Sequence, residues 1–125
     1  MNFSHSQPIF IQIVNLICRR ALDGTYQPDN RIPSVRELAV EVEVNPNTVM
    51  RSFERLQNEG IIYMKRGLGY YISPDAPQKI LEQRRTAFLQ EELPQLFSEM
   101  KLLGIDFDAI SRAYSVYLEN ESNRK

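Results

Sequence analysis

The sequence predicts a mainly α-helical chain with one small β-hairpin and a helical pair towards its C-terminal end. Three observations carry that expectation. Apolar residues recur at helical spacing over most of the chain. The period changes between Ile61 and Ser73, where β-forming residues flank a short turn with two glycines. A punctuated stretch, Ser73-Pro74-Asp75-Ala76-Pro77, then precedes a second run of helical periodicity.

The first helix is expected from about Pro8 to Leu22, with Ile9, Phe10, Ile13, Ile17 and Ala21 on one face. Ser6 offers a capping oxygen, Pro8 falls in the first turn, and Gly24 follows the last turn, where a left-handed residue is wanted. Cys18 lies beside the stripe and reads as a small core residue. Tyr26-Gln27-Pro28-Asp29-Asn30 is a turn by composition, and Arg31-Ile32-Pro33 leaves room only for a stub of strand.

Ser34-Val35-Arg36-Glu37 forms a capping box, in which Ser34 and Glu37 satisfy each other's backbone N–H groups. It opens a helix of eight or nine residues carrying Val35, Leu38, Ala39 and Val42 on one face. Asn45-Pro46 starts a third helix, since asparagine caps well and proline suits the first helical position. Val49, Phe53 and Leu56 share one side of it, and Gly60 ends it. The hairpin follows: Ile61-Ile62-Tyr63-Met64-Lys65, the turn Arg66-Gly67-Leu68-Gly69, then Tyr70-Tyr71-Ile72.

The punctuation after Ile72 places a domain boundary between residues 75 and 76. Beyond it a long helix is expected from about Gln78 to Leu103, kinked or broken near Pro94 and closed by Gly104. Asp106 caps a last helix carrying Phe107, Ile110, Ala113, Tyr114, Tyr117 and Leu118. The polar tail from Asn120 reads as frayed.

Composition narrows the function. The 125 residues carry a formal net charge of −1. Residues 1–75 hold eight basic and eight acidic side chains, and residues 76–125 hold seven and eight, so any positive surface has to be local. One cysteine and one histidine build neither a disulfide framework nor a protein-only zinc site. No run of eighteen apolar residues and no secretory leader pattern occur, which points to the cytoplasm and away from membranes. No phosphate-cradling G-x-x-x-x-G-K-[ST] pattern and no convergent acid, base and nucleophile set occur, so neither an enzyme nor a cofactor site is expected.

Helix, short helix, tight turn, capped helix and hairpin, in that order, make a winged helix-turn-helix. Such a fold lays its third helix in the major groove of double-stranded DNA. With Val49, Phe53 and Leu56 inward, Asn47, Arg51, Glu54 and Asn58 point outward, flanked by Thr48 and Met50. Asparagine suits an adenine edge and arginine a guanine edge or a phosphate. Thr48 at the helix start suits phosphate. Arg36 is placed to reach the DNA backbone, Lys65 and Arg66 stand at the wing tip, and Gly67 and Gly69 permit positive φ. Each cation taken singly also fits an ordinary solvated surface.

The blocks Pro8-Ile9-Phe10-Ile11-Gln12-Ile13, Arg31-Ile32-Pro33-Ser34-Val35-Arg36-Glu37-Leu38-Ala39, Val44-Asn45-Pro46-Asn47-Thr48-Val49, Leu56-Gln57-Asn58-Glu59-Gly60-Ile61-Ile62 and Arg66-Gly67-Leu68-Gly69-Tyr70-Tyr71-Ile72 resemble the GntR family of bacterial transcription regulators. The resemblance covers about residues 8–73. It implies DNA contacts at Arg36, at Asn45, Asn47 and Thr48, and at Arg66 and Gly67 in the wing. Met50 stands where many members carry arginine, with Arg51 next. Glu43 stands where many carry glycine, which predicts a left-handed non-glycine residue or a different turn.

About fifty residues follow the winged part, too few for a large effector domain, so the chain is similar to the short, YtrA-type branch. That resemblance implies a dimerising helical arm and control of a transporter operon. The arm's Leu89, Leu93, Leu96, Phe97, Met100, Tyr114 and Tyr117 offer more apolar surface than two short helices can hide, so a second copy is expected to cover them. Packing on the chain's own winged part is the other way to cover them. The leading expectation is a homodimeric repressor on a two-fold symmetric operator. The alternative is a winged-helix protein–protein module that does not bind DNA. No residue pattern identifies a small-molecule effector.

Overall fold

The computed structural model describes residues 7–124. Six α-helices and one antiparallel hairpin follow in the order α1 (Ile9–Leu22), α2 (Val35–Val42), α3 (Pro46–Asn58), β1 (Ile62–Lys65), β2 (Gly69–Ile72), α4 (Ala76–Ala87), α5 (Leu93–Leu103) and α6 (Phe107–Ser122). A π-helical turn, Phe88–Glu92, stands between α4 and α5. The chain divides into two compact units, the first ending at Gln83 and the second beginning at Arg84.

The first unit is built on α1, α2, α3 and the hairpin. Pro8 is the N-cap of α1 rather than part of its first turn, and expected capping by Ser6 lies outside the described residues. Ile13, Ile17 and Ala21 are buried as the periodicity requires, Phe10 is half-buried, and Ile9 is exposed. Cys18 is buried in the same face. Arg20 then links α1 to α2 through Glu41 at 2.6 Å, and Glu41 holds its guanidinium above the ordinary arginine value against the opposing effect of burial.

Both halves of the α2 capping box form. Ser34 Oγ accepts from the Glu37 N–H at 3.1 Å, and Glu37 Oε1 accepts from the Ser34 N–H at 3.0 Å. Glu43 ends α2 in the left-handed conformation, φ 56° and ψ 49°. The Val44 N–H reaches back to the Ala39 carbonyl at 3.0 Å, closing a Schellman-type end. A non-glycine residue therefore makes the tight turn into α3.

Asn45 caps α3, its side chain accepting from the Asn47 N–H at 2.8 Å, with Pro46 in the first helical position. Val49, Phe53 and Leu56 are fully buried. Truncating Phe53 to alanine in such a site costs about 3–5 kcal/mol. The hairpin registers Ile62 opposite Ile72, Tyr63 opposite Tyr71, Met64 opposite Tyr70 and Lys65 opposite Gly69. It packs on α3 through an edge-to-face contact between Phe53 and Tyr70, centroids 4.9 Å apart. The expected strand stub forms as well, Arg31 bridging Tyr71 and the Ile32 N–H donating to the Tyr70 carbonyl at 2.9 Å.

The boundary between the units falls inside α4, not at the proline-rich punctuation before it. Ala76 and Ile80 explain the shift: both are buried in the core of the first unit, so the start of α4 belongs to that core. In the second unit Pro94 sits in the first turn of α5. The perturbation it was expected to cause lies just upstream, as the π-turn. Proline offers no N–H to the carbonyl four residues back and crowds it, so the altered ladder falls on the turn preceding the ring. Gly104 closes α5 at φ 69°, and Asp106 caps α6 by accepting from the Ala109 N–H at 3.0 Å. The polar residues Asn120 to Ser122, where fraying was expected, continue α6.

Candidate nucleic-acid interface

The outward face of α3 is set by its buried one. Helical geometry turns Asn47, Arg51, Glu54 and Asn58 away from Val49, Phe53 and Leu56, and all four are exposed. Thr48 and Met50 are half-buried beside them. Asn45 is exposed, yet its side-chain oxygen is engaged in the cap, so its local role is to fix the helix start. Arg36 is exposed in the first turn of α2. It lines a shallow groove with Ala39, Val40, Val44 and Pro46, bringing the starts of α2 and α3 to one surface. Val40 is 80% exposed there.

The wing turn is Arg66-Gly67-Leu68, closed by the Leu68 N–H donating to the Lys65 carbonyl at 2.9 Å. Gly67 takes φ 78°. Lys65 ends β1 directly before the turn, as expected, with its Nζ 4.4 Å from the centroid of the Tyr71 ring. Tyr71 in turn stacks on Tyr63 at 5.7 Å, and the Tyr63 hydroxyl donates to Asp29 Oδ1 at 2.9 Å. That bond to a carboxylate holds the phenol pKa above its ordinary value. Arg36 and Arg66 make no ion pair among the described residues.

Two residues join the site that sequence reasoning did not place there. Arg31 Nε donates to the Leu68 carbonyl at 2.9 Å, and its other end lies 3.7 Å from Glu37 Oε1. It thereby spans from the wing turn to the first turn of α2. Gly69, at φ 121°, is needed beneath it, because a Cβ there would stand 2.9 Å from Arg31 Nε. The one advance signal is alternation in the strand stub: with Ile32 inward, Arg31 points out. Phe10 is the second, its ring lying under Arg51 with 3.7 Å from the guanidinium carbon to the centroid.

Glu37 carries a carboxyl held below the ordinary range, first by the Ser34 backbone N–H, then by the Ser34 side chain. It therefore stays ionised at the start of α2, where the helix dipole favours a negative charge. Among the described residues no cluster of His, Cys, Asp and Glu gathers to hold a metal ion. No described helix is long and apolar enough to cross a membrane.

The arm residues are placed differently. Leu89, Leu96, Phe97, Tyr114 and Tyr117 are between 42% and 62% exposed. Leu93 and Met100 are half-buried. No described side chain beyond Ile80 is buried, so the second unit has no core of its own among the described residues.

Comparison with known proteins agrees with this architecture. The family described as "Bacterial regulatory proteins, gntR family" matches residues 11–72. The HTH-type transcriptional repressor YtrA of Bacillus subtilis is 37% identical over 84% of this chain and 80% of its own length. The uncharacterized HTH-type transcriptional regulator YhcF of the same organism is 31% identical over 94% of this chain and 95% of its own. A crystal structure of a GntR-family regulator from Bacteroides thetaiotaomicron superposes with a TM-score of 0.82 at 40% identity, over 91% of this chain and 99% of the other.

Proposed function

The chain belongs to the GntR family of bacterial regulators, DNA-binding transcription regulators rather than enzymes, and from that premise we propose that it is a homodimeric repressor gripping a two-fold symmetric operator. The winged part, residues 1–75, reads the DNA, with the start of α4 completing its core, and the remainder of residues 76–125 is the arm that pairs two copies. The observation that carries the first half is α3 itself: Asn47 and Arg51 are exposed on a helix whose opposite face is fully buried.

In this reading Asn47 and Arg51 meet base edges, with Thr48 and Met50 beside them and Asn45 fixing the helix start. Arg36 meets the phosphate backbone at the start of α2, and Lys65, Arg66 and Gly67 meet it at the wing. A bidentate arginine or asparagine contact discriminates between bases by about 1–3 kcal/mol. The exposed Leu89, Leu96, Phe97, Tyr114 and Tyr117, with Leu93 and Met100, support the second half, since a second copy is the ordinary way to cover such a face. The resemblance to the YtrA-type branch extends the reading to a transporter operon in the cytoplasm of a bacterium. No small-molecule effector is assigned. The other reading, a winged-helix adaptor that does not touch DNA, has only the near-neutral net charge behind it.

An anisotropy titration at moderate salt tests the proposal, using duplex DNA from the region upstream of its own gene against a shuffled duplex. Preference for the upstream duplex, weakened in R51A and R66A variants that keep their melting behaviour, is the expected result. Equal binding of both duplexes sinks the sequence-specific reading.

A further inference from the structure

We infer that Phe10 is a positioning residue for recognition by Arg51: its ring fixes the plane of the guanidinium before any partner arrives. The inference rests on the reading of α3 as the DNA-reading helix.

The two arginines of α3 have different fates. Arg55 is paired with Glu59, one turn on, at 3.1 Å. Arg51 has an acidic neighbour within reach along the helix, Glu54, but makes no ion pair among the described residues. Its guanidinium instead lies over the Phe10 ring at 3.7 Å. The distinction matters chemically. A carboxylate takes the in-plane N–H donors of a guanidinium, often two at once. An aromatic face holds the same group by its π-surface and leaves those donors at the rim. Arg51 is thus held without losing the edge a base would need.

The ring is itself fixed. Ser52 is fully buried, and its hydroxyl lies 2.8 Å from the Phe10 carbonyl and 3.1 Å from the Thr48 carbonyl. Consecutive residues of α3 therefore hold Phe10 from two sides, Ser52 by its backbone and Arg51 by its ring. The buried contact registers the first turn of α1 on α3, and the ring follows from that register.

Arginine carries large rotamer freedom, and a side chain ordered beforehand loses less on binding. The gain corresponds to about two- to tenfold in affinity. A purely structural Phe10 would matter equally whatever stands at position 51.

The test is a double-mutant cycle on the full chain, read as dissociation constants for a preferred duplex and for one with a single altered base pair. F10L is expected to weaken binding about two- to tenfold and to narrow the gap between the two duplexes, while F10Y, which keeps the ring, binds like the parent. In the R51A background F10L should have no further effect. Equal losses from F10L in both backgrounds, with R51A itself weakened, overturn the positioning role and leave the α3 reading intact. An R51A variant that binds like the parent overturns both. Proton NMR of the DNA-free parent gives an independent check, since the Arg51 side-chain methylenes must show an upfield ring-current shift. Ordinary shifts there overturn the inference even if F10L fails to fold.

Discussion

Arg31 Nε donates to the Leu68 carbonyl at 2.9 Å, tying a side chain just ahead of α2 to the tip of the wing. The same guanidinium reaches towards Glu37 at the start of α2. A residue outside every helix thus sets the spacing between two parts of the proposed DNA surface. R31A should change stability by less than about 1 kcal/mol, because the group is half exposed. It should weaken DNA binding about threefold or more by loosening the wing turn. The salt slope should stay as in the parent if Arg31 acts by position, and fall by about one if it touches a phosphate directly. Titrations at several salt concentrations separate the two.

Glu43 occupies a left-handed backbone position that glycine fills without strain. Relief of that strain is worth about 1–2 kcal/mol, offset by about 0.4–1 kcal/mol of added unfolded-chain entropy. E43G should therefore stabilise the fold modestly, raising the melting temperature. A clear drop would show that the Glu43 side chain contributes something the turn geometry does not reveal.

Glu37 gives the fold an acid-side sensitivity. Its folded pKa is lowered, chiefly by the Ser34 backbone N–H. Its contribution is present above the unfolded carboxylate pKa and disappears as pH falls through the folded one. The E37Q variant should show a shallower loss of melting temperature on the acid side of the carboxylate range. S34A should lower stability at neutral pH by about 1 kcal/mol through the lost cap. An E37Q acid profile that superimposes on the parent's would remove Glu37 as a source of this dependence.

Phe97 and Tyr117 lie on the exposed apolar surface of the arm, 53% and 58% accessible. If that surface pairs two copies, F97E and Y117E should each shift sedimentation equilibrium from dimer to monomer. Melting of the winged part should be little affected. A parent protein that is monomeric at micromolar concentration contradicts the dimer proposal outright.

Much of this architecture was legible because the decisive chemistry is local. Ser34 and Glu37, Asn45 with Pro46, and Asp106 act on backbone groups within three residues, so their spacing in the sequence already states the contact. The periodic burial of Val49, Phe53 and Leu56 likewise defined which α3 residues face outward. What escaped was tertiary. Ala76 and Ile80 belong to the first unit's core, although proline-rich punctuation suggests a boundary before them. Arg31 meets Leu68 and Phe10 meets Arg51 only after the chain has folded back, and no local pattern encodes either pairing. Pro94 signalled a disturbed helix, but not that the disturbance would fall in the preceding turn as a π-helical segment.

Selection of bound duplexes from a random DNA pool, followed by sequencing, bears most directly on the claim that two copies of α3 read DNA together. An enriched inverted repeat, its half-sites about one helical turn or a multiple of it apart, is the predicted outcome. A bound pool no different from the input would contradict it.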